Sequence, residues 1–243
     1  MTQKPVVLIT GASRGIGRSL ALEFGKNDYT VIINYLKEKE KALSAAEEIE
    51  KSGGRARVIA ADVSEAGAVK TLVGDIAERE GRLDVLVNNA GITRHRTIMK
   101  MTDEEWGAVM ATDLNGPFYT LRECARLMAK SGGGSIINVG SIIGFRGAFG
   151  SANYAGAKAG LAGLTRSAAV ELGRLNVRVN MVLPGFHLTD MGSGGSDRYV
   201  AQARQDSVLG VTTDINEFAR FVVSLSQAKS VSGQVFNFDS RII

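Results

Sequence analysis

Cysteine, proline and tryptophan are scarce in this chain of 243 residues, which contains one, three and one of them respectively. A single cysteine, Cys124, cannot form an intrachain disulfide and excludes a disulfide scaffold. No apolar run reaches the roughly 18 residues of a membrane-spanning helix. The first apolar segment ends at Gly11 and is too short for a signal peptide. We therefore expect a soluble, cytoplasmic protein with no membrane association.

Neither positive nor negative charge is concentrated in any one segment. The 29 lysines and arginines exceed the 25 acidic residues by only four, and the two signs alternate, as in residues 37–41. Such alternation is typical of a solvated helix face. Without a recognised nucleic-acid motif, we expect no nucleic-acid binding. The two histidines have no acidic neighbours and do not predict a metal site.

Short apolar segments alternate with longer helical patterns along nearly the whole chain. The predicted strands are residues 6–10, 30–34, 56–60, 85–88, 135–139, 177–182 and 234–238. The predicted helices are residues 15–26, 38–52, 65–80, 103–130, 152–174 and 214–226. This order predicts an α/β fold, a doubly wound parallel seven-stranded sheet with helices on both faces, in one domain over residues 1–243. The glycine- and serine-rich residues 191–196 predict a mobile segment over a site.

The first predicted strand leads into a glycine-rich loop, residues 10–17 (TGASRGIG), which opens the first predicted helix. Glycine permits a tight turn and close approach to a diphosphate, which a helix N-terminus attracts. The usual acidic residue that binds ribose hydroxyls is absent, since the second strand ends at Asn34. A neutral Asn34 with Arg14 and Lys37 nearby predicts NADPH rather than NADH. For the loop alone, a plain strand–helix turn is the alternative.

Tyr154 and Lys158 stand four residues apart at the start of a predicted helix, so they share a helix face. A tyrosine hydroxyl ordinarily has a pKa near 10, and a neighbouring ammonium favours its ionised form. Tyr154 is therefore a candidate general acid for carbonyl reduction and base for the reverse. Ser141 ends the fifth strand, where its hydroxyl could bind a substrate oxygen. An amphipathic surface pair and a strand-end cap are the alternatives.

In combination, these motifs resemble those of the short-chain dehydrogenase/reductase family, and most of all its 3-oxoacyl-[acyl-carrier-protein] reductases. The resemblance covers nearly the whole chain and also rests on Asp62-Val63, residues 88–91 (NNAG), Asn115, Pro184-Gly185 and Thr189. It implies a Rossmann-type fold and NADPH-dependent reduction of a 3-oxoacyl thioester to the 3-hydroxyacyl thioester in fatty acid biosynthesis. It also implies a homotetramer.

The resemblance assigns roles to individual residues. The catalytic residues it implies are Asn115, Ser141, Tyr154 and Lys158, where Asn115 holds a water that links Lys158 to solvent. The cofactor-binding residues it implies are Gly11, Ser13, Arg14, Ile16, Asn34, Asp62, Val63, Asn88, Ala90, Gly91, Tyr154, Lys158, Pro184, Gly185 and Thr189. Arg126 and Arg174 lie near positions where the family meets an acidic acyl carrier protein. Independently of the resemblance, Pro117 predicts a break in the long helical pattern beside Asn115.

Beyond Met191 the sequence departs from the family, notably in residues 207–214 and 236–241. These regions shape the substrate lid and subunit contacts in the family, so substrate and assembly stay open. One alternative keeps the chemistry but acts on an acyl-CoA, a polyketide or aryl ketone, or a secondary alcohol. Another is a protein that binds NADP(H) without turnover. Candidate substrate-facing residues are Ile92, Ile142, Ile143, Phe149 and Phe186.

Overall fold

The protein is built around one seven-stranded parallel sheet with the strand order β3-β2-β1-β4-β5-β6-β7. The structure is a computed structural model that describes residues 3–187 and 197–242. The strands are β1 (Val6–Ile9), β2 (Thr30–Tyr35), β3 (Arg55–Ala60), β4 (Val85–Asn88), β5 (Gly134–Val139), β6 (Val177–Leu183) and β7 (Val235–Asn237). All seven predicted strands are therefore confirmed, each to within one residue at either end.

Helices cover both faces of the sheet. They are α1 (Gly15–Lys26), α2 (Lys39–Lys51), α3 (Ala66–Glu80), α4 (Asp103–Met110), α5 (Gly116–Lys130), α6 (Ile143–Arg146), α7 (Ala152–Leu172), α8 (Asp197–Asp206) and α9 (Ile215–Gln227). The sequence patterns did not predict α6 or α8. The first is a single turn, and the second has too few apolar residues to show a helical period. In the described part of the chain, no helix is long and apolar enough to cross a bilayer.

The core lies in two layers because successive side chains of a buried strand point to opposite faces. In β1, Val7 and Ile9 pack under α1, α2 and α9, whereas Val6 and Leu8 pack under α3, α5 and α7. Cys124 of α5 is completely buried in the second layer, as expected for a packing residue. Burial raises the pKa of its thiol, so it stays protonated. The predicted doubly wound fold is confirmed.

The long helix predicted over residues 103–130 is interrupted, as Pro117 indicated. A π-helical turn at Ala111–Asn115 separates α4 from α5. Pro117 has no backbone N–H, so the usual helical bond to the Asp113 carbonyl cannot form. The wider turn accommodates this missing bond. It places Asp113 in the interior of the protein and Asn115 at the surface.

Candidate active site

A cavity of about 450 Å³ lies at the carboxyl ends of the central strands. The strand order reverses between β1 and β4, and such a switch point leaves a crevice where α/β sheets bind ligands. The structure brings most of the predicted site residues into its wall. They are Gly11, Ser13, Arg14, Ile16, Asn34, Asp62, Val63, Ala90, Gly91, Tyr154, Lys158 and Pro184.

The glycine loop at one end of this cavity fits a diphosphate. Gly11 has a φ of +62°, and a Cβ atom there would lie 2.8 Å from the Cα atom of Ala90, so no larger residue is accommodated. Helix α1 begins at Gly15 without a side-chain cap and without an acidic residue in its first turn. Its first N–H groups therefore remain available to an anion.

Asn89 holds this loop in place, although the family resemblance implied a cofactor role for Asn88. The Asn89 Nδ2 atom donates hydrogen bonds to the carbonyls of Thr10 and Gly11, at 2.9 and 3.1 Å. Asn88 instead points into the interior, where its Nδ2 atom donates to Asn138 Oδ1 at 2.8 Å, and it does not line the cavity. Neighbouring residues at a strand end point in opposite directions, so only one of the two asparagines can face the site.

The neutral Asn34 side chain also supports the glycine loop by hydrogen bonds. Its side chain is buried, its Oδ1 atom accepts a hydrogen bond from the Gly11 N–H at 3.3 Å, and its Nδ2 atom donates to the Ala61 carbonyl at 3.1 Å. Asn34 thus ties the glycine loop to the end of β3. Arg14 and Lys37 line the same cavity together with the acidic Glu38, so the basic residues at this end outnumber the acidic one.

A second cavity of about 330 Å³ shares Arg14 with the first and is lined by the basic Arg18 and Lys41 and the acidic Glu40. Arg18 lines it and pairs with Glu48 at 2.6 Å, and Lys41 lines it and pairs with Glu38 at 3.3 Å. The N-termini of α1 and α2 meet here, so helix dipoles add to the attraction for an anion.

Tyr154 and Lys158 lie in the first turns of α7, at the opposite end of the main cavity. The Lys158 Nζ atom is 5.5 Å from the centroid of the Tyr154 ring. Lys158 is buried and donates a hydrogen bond to the Val139 carbonyl at 3.1 Å. The ammonium is therefore fixed against the end of β5 and beside the tyrosine ring. This arrangement suits proton transfer by the phenol.

Asp113 completes this cluster and was not predicted. Its Oδ2 atom lies 3.3 Å from Lys158 Nζ, and its Oδ1 atom accepts a hydrogen bond from the Ile92 N–H at 2.8 Å. Burial raises the pKa of the Asp113 carboxyl, and Lys158 offsets only part of this. Burial alone would lower the pKa of Lys158, but Asp113 and Tyr154 outweigh it and raise that pKa.

The structure does not bring Asn115 to the site. Its side chain is exposed on the π-helical turn, and Asp113, two residues earlier, faces Lys158. Residues two apart on a helix point to nearly opposite sides, since each step turns about 100°. The order of motifs alone could not show which of these two polar residues faces inward, whereas the position of Pro117 relative to each could have suggested it.

Ser141 directly follows the cavity residue Gly140 and precedes α6. It is half-buried, does not line the described cavity, and its Oγ atom accepts a hydrogen bond from the Ile143 N–H at 3.2 Å. That bond leaves the hydroxyl proton free to be donated to a ligand.

The last predicted cofactor residues follow β6. Gly185 has a φ of +84°, and a Cβ atom there would collide with the Thr213 hydroxyl. Glycine is therefore required at this position, where two loops come close together. Thr189 and the segment 191–196, predicted to be mobile, lie outside the described residues.

The remaining candidates differ in exposure. Of the candidate substrate-facing residues, Ile92 lines the cavity, Ile142 is buried, and Phe149 is 93% exposed. Arg126 is exposed on α5 and pairs with Glu123 at 2.9 Å. Arg174, just after α7, is exposed as well. Within residues 3–187 and 197–242, no three histidine, cysteine or acidic side chains form a group that could hold a metal ion.

Comparisons with known proteins agree with this geometry. The family profile described as short chain dehydrogenase matches residues 5–199. The chain is 42% identical over 233 residues to a 3-oxoacyl-[acyl-carrier-protein] reductase of Staphylococcus aureus, covering 95% of this chain and 94% of that protein. A reductase of the same name from Synechocystis is 37% identical over 238 residues, covering 98% and 96%.

A similar solved structure is that of a candidate short-chain alcohol dehydrogenase from Sinorhizobium meliloti. It superposes with a TM-score of 0.92 at 30% identity, covering 98% of this chain and 96% of that one. Sequence, fold and cavity thus lead to the same assignment: the chain belongs to the short-chain dehydrogenase family.

Proposed function

We propose that this protein reduces the ketone of a 3-oxoacyl thioester, carried by acyl carrier protein, to the 3-hydroxyacyl thioester with NADPH, as a step of fatty acid biosynthesis. The observation that carries the proposal is that one cavity joins the glycine loop at one end to Tyr154 and Lys158 at the other. The similar 3-oxoacyl-[acyl-carrier-protein] reductases of Staphylococcus aureus and Synechocystis supply the substrate class.

The family binds a nicotinamide cofactor, which supplies the hydride when bound. NADPH is the form we propose for this chain. Arg14 and Lys37 place positive charge in the cavity, and Asn34 places no carboxylate there that would repel a 2′-phosphate. The N-terminus of α1 and the close packing of Gly11 accommodate the diphosphate.

The chain's own residues supply the proton and the charge stabilisation. Tyr154 donates its hydroxyl proton to the ketone oxygen as the carbonyl carbon becomes tetrahedral. The Lys158 ammonium, held by the Val139 carbonyl, stabilises the phenolate that remains. The Ser141 hydroxyl, beside the cavity, donates a hydrogen bond to the same substrate oxygen.

The decisive experiment follows NADPH oxidation with acetoacetyl-CoA in wild type, Tyr154→Phe and the matched control Tyr119→Phe. We expect the first variant to lose at least about 100-fold in kcat, while NADPH binding, measured by fluorescence, and the activity of Tyr119→Phe stay near wild type. If all three proteins, wild type included, bind NADPH but do not reduce acetoacetyl-CoA, the assignment moves to another ketone, to a secondary alcohol or to a non-catalytic protein.

The proposed partner is an acidic acyl carrier protein that contacts Arg126 and Arg174. Both side chains are exposed, and basic surface groups attract an acidic partner. The double variant Arg126→Glu/Arg174→Glu should raise KM for a carrier-bound substrate but not for acetoacetyl-CoA. An equal loss on both substrates would contradict this docking site.

The proposed assembly is a homotetramer in the cytoplasm. Helix α7 carries Gly163, which has open space above its Cα atom, and Val170, which is 84% exposed. The two residues lie about two turns apart on the same side of the helix, and an exposed apolar side chain in line with a small residue suits packing against a second copy. Light scattering at micromolar concentration should report four chains, and a monomer would refute the assembly.

A further inference from the structure

Asp113 is an acidic side chain at the reacting end of the cavity that the proposed proton transfer does not use. It is completely buried, and its two oxygens face Lys158 and the Ile92 N–H. The backbone leaves little room around it, since a Cβ atom on Gly91 would lie 2.7 Å from its Oδ2 atom. The carboxylate is thus enclosed between the loop after β4 and helix α7.

The charges around Lys158 come from few elements. Among the described residues, the titratable groups that act on Lys158 are Asp113 from the π-helical turn and Tyr154 from α7. The end of β5 contributes the Val139 carbonyl, and the loop after β4 contributes the Ile92 N–H, which binds Asp113. The same loop carries two further ionisable groups near Tyr154: Arg94, which lines the same cavity, and His95, whose Nδ1 atom lies 3.0 Å from Ser151 Oγ at the start of α7. Tyr154 therefore lies beside an ion pair, whereas the resemblance to the family implied the neutral Asn115, holding a water that links Lys158 to solvent.

We propose that Asp113 is a positioning residue that holds the Lys158 ammonium in place and offsets its charge, so that Tyr154 keeps its proton to higher pH. The inference rests on the proposed function in one respect, namely that Tyr154 is the proton donor. A nearby anion disfavours the phenolate, and a fully uncompensated ammonium favours it. The reducing form of the site consequently persists to higher pH than it would with a neutral residue at position 113.

The test compares Asp113→Asn with Asp103→Asn, which makes the same charge change at an exposed position in α4. For ketone reduction, the alkaline limb of kcat/KM against pH should move down by about one pH unit in Asp113→Asn. For alcohol oxidation, the rise in kcat/KM should begin at correspondingly lower pH. Asp103→Asn should leave both profiles where they are in wild type. Unchanged or upward-shifted midpoints in Asp113→Asn would overturn the inference.

A spectroscopic titration tests the inference without turnover. The ultraviolet absorbance of tyrosinate is followed against pH in each protein, and the matching Tyr154→Phe variant is subtracted to isolate one of the five tyrosines. We expect the midpoint to be about one pH unit lower in Asp113→Asn than in wild type. Equal midpoints would refute the role of Asp113.

The two readouts separate the two proposals. A shifted tyrosinate titration in a protein that reduces no 3-oxoacyl thioester would support the inference and refute the proposed function. Wild-type reduction of the 3-oxoacyl thioester, together with an unshifted tyrosinate titration in Asp113→Asn, would support the proposed function and refute the inference. Thermal unfolding and NADPH binding verify that the variant is folded. If Asp113→Asn does not fold, Asp113→Ser, which is smaller and also neutral, gives the same comparison.

Discussion

The Oδ2 atom of Asp113 lies 3.3 Å from the Nζ atom of Lys158, with both side chains removed from solvent. At this distance each buried charge stabilises the other, because either one alone would be an uncompensated ion in the interior. The pair therefore links the stability of the protein to its chemistry.

Lys158→Met should destabilise the protein by about 3–5 kcal/mol at neutral pH, because it leaves the Asp113 carboxylate buried without a counter-ion. Burial raises the pKa of Asp113 above that of the unfolded chain. The native state of the variant therefore takes up a proton first, and its stability rises as pH falls through that folded pKa. Denaturant unfolding at a series of pH values measures this.

A second substitution provides the control for that prediction. In Lys158→Met/Asp113→Asn no buried carboxylate remains, so most of the lost stability at neutral pH should return. A loss that is equally large at acidic pH, or in the double variant, would show that Lys158 stabilises the fold by packing alone.

Gly11→Ala should weaken NADPH binding, whereas Gly53→Ala should leave NADPH affinity unchanged. Both glycines have a positive φ, so alanine costs about 1–2 kcal/mol of stability at either position. Only at Gly11 does the new Cβ atom meet backbone, 2.8 Å from Ala90, while nothing lies within 4 Å at Gly53. We expect NADPH affinity to fall at least about tenfold in Gly11→Ala, since the loop must shift. Equal affinity in the two variants would argue against the loop as the diphosphate site.

Arg14→Ala should weaken NADPH but not NADH. Hydrogen bonds to a charged group contribute about 1.5–3 kcal/mol, so KM for NADPH should rise roughly tenfold or more. Lys39→Ala, which removes an exposed charge outside the described cavities, is the matched control. Steady-state kinetics with both cofactors measure the effect. A parallel rise in KM for NADH would assign Arg14 to the diphosphate rather than to the 2′-phosphate.

Asn88→Ala should reduce stability without changing KM for NADPH. Its Oδ1 atom accepts a hydrogen bond from Thr120 at 2.6 Å, and its Nδ2 atom donates to Asn138. The Thr120 hydroxyl still has the Gly116 carbonyl as an acceptor at 3.0 Å, but the buried Asn138 Oδ1 atom loses its donor, which costs about 1–3 kcal/mol. Thermal unfolding and NADPH titration check both parts, with the exposed Asn27→Ala as control. A normal melting temperature with weakened NADPH binding would restore the cofactor role that the sequence analysis gave Asn88.

The sequence was sufficient for the sheet because its strands are short, apolar and bounded by turn residues. Residues 30–34, for example, predicted β2, and the structure extends it by one residue to Tyr35. The doubly wound arrangement follows from the alternation of strands and helices, since parallel strands need helical crossovers. The glycine loop and the spacing of Tyr154 and Lys158 also depend on local order alone, and the structure places them in one cavity.

Side-chain direction at irregular turns depended on the tertiary structure. Asn88 and Asn89 are adjacent, and Asp113 and Asn115 are two apart, so a motif cannot tell which asparagine lines the cavity or which residue of the second pair contacts Lys158. The packing of β4 beside β5 turns Asn88 towards Asn138, and the π-helical turn before Pro117 turns Asp113 towards Lys158. The sequence by itself therefore determined the family, because family membership depends on residue type and spacing. The charge beside Tyr154 was decided by a long-range contact, between residues 113 and 158, that local order does not encode.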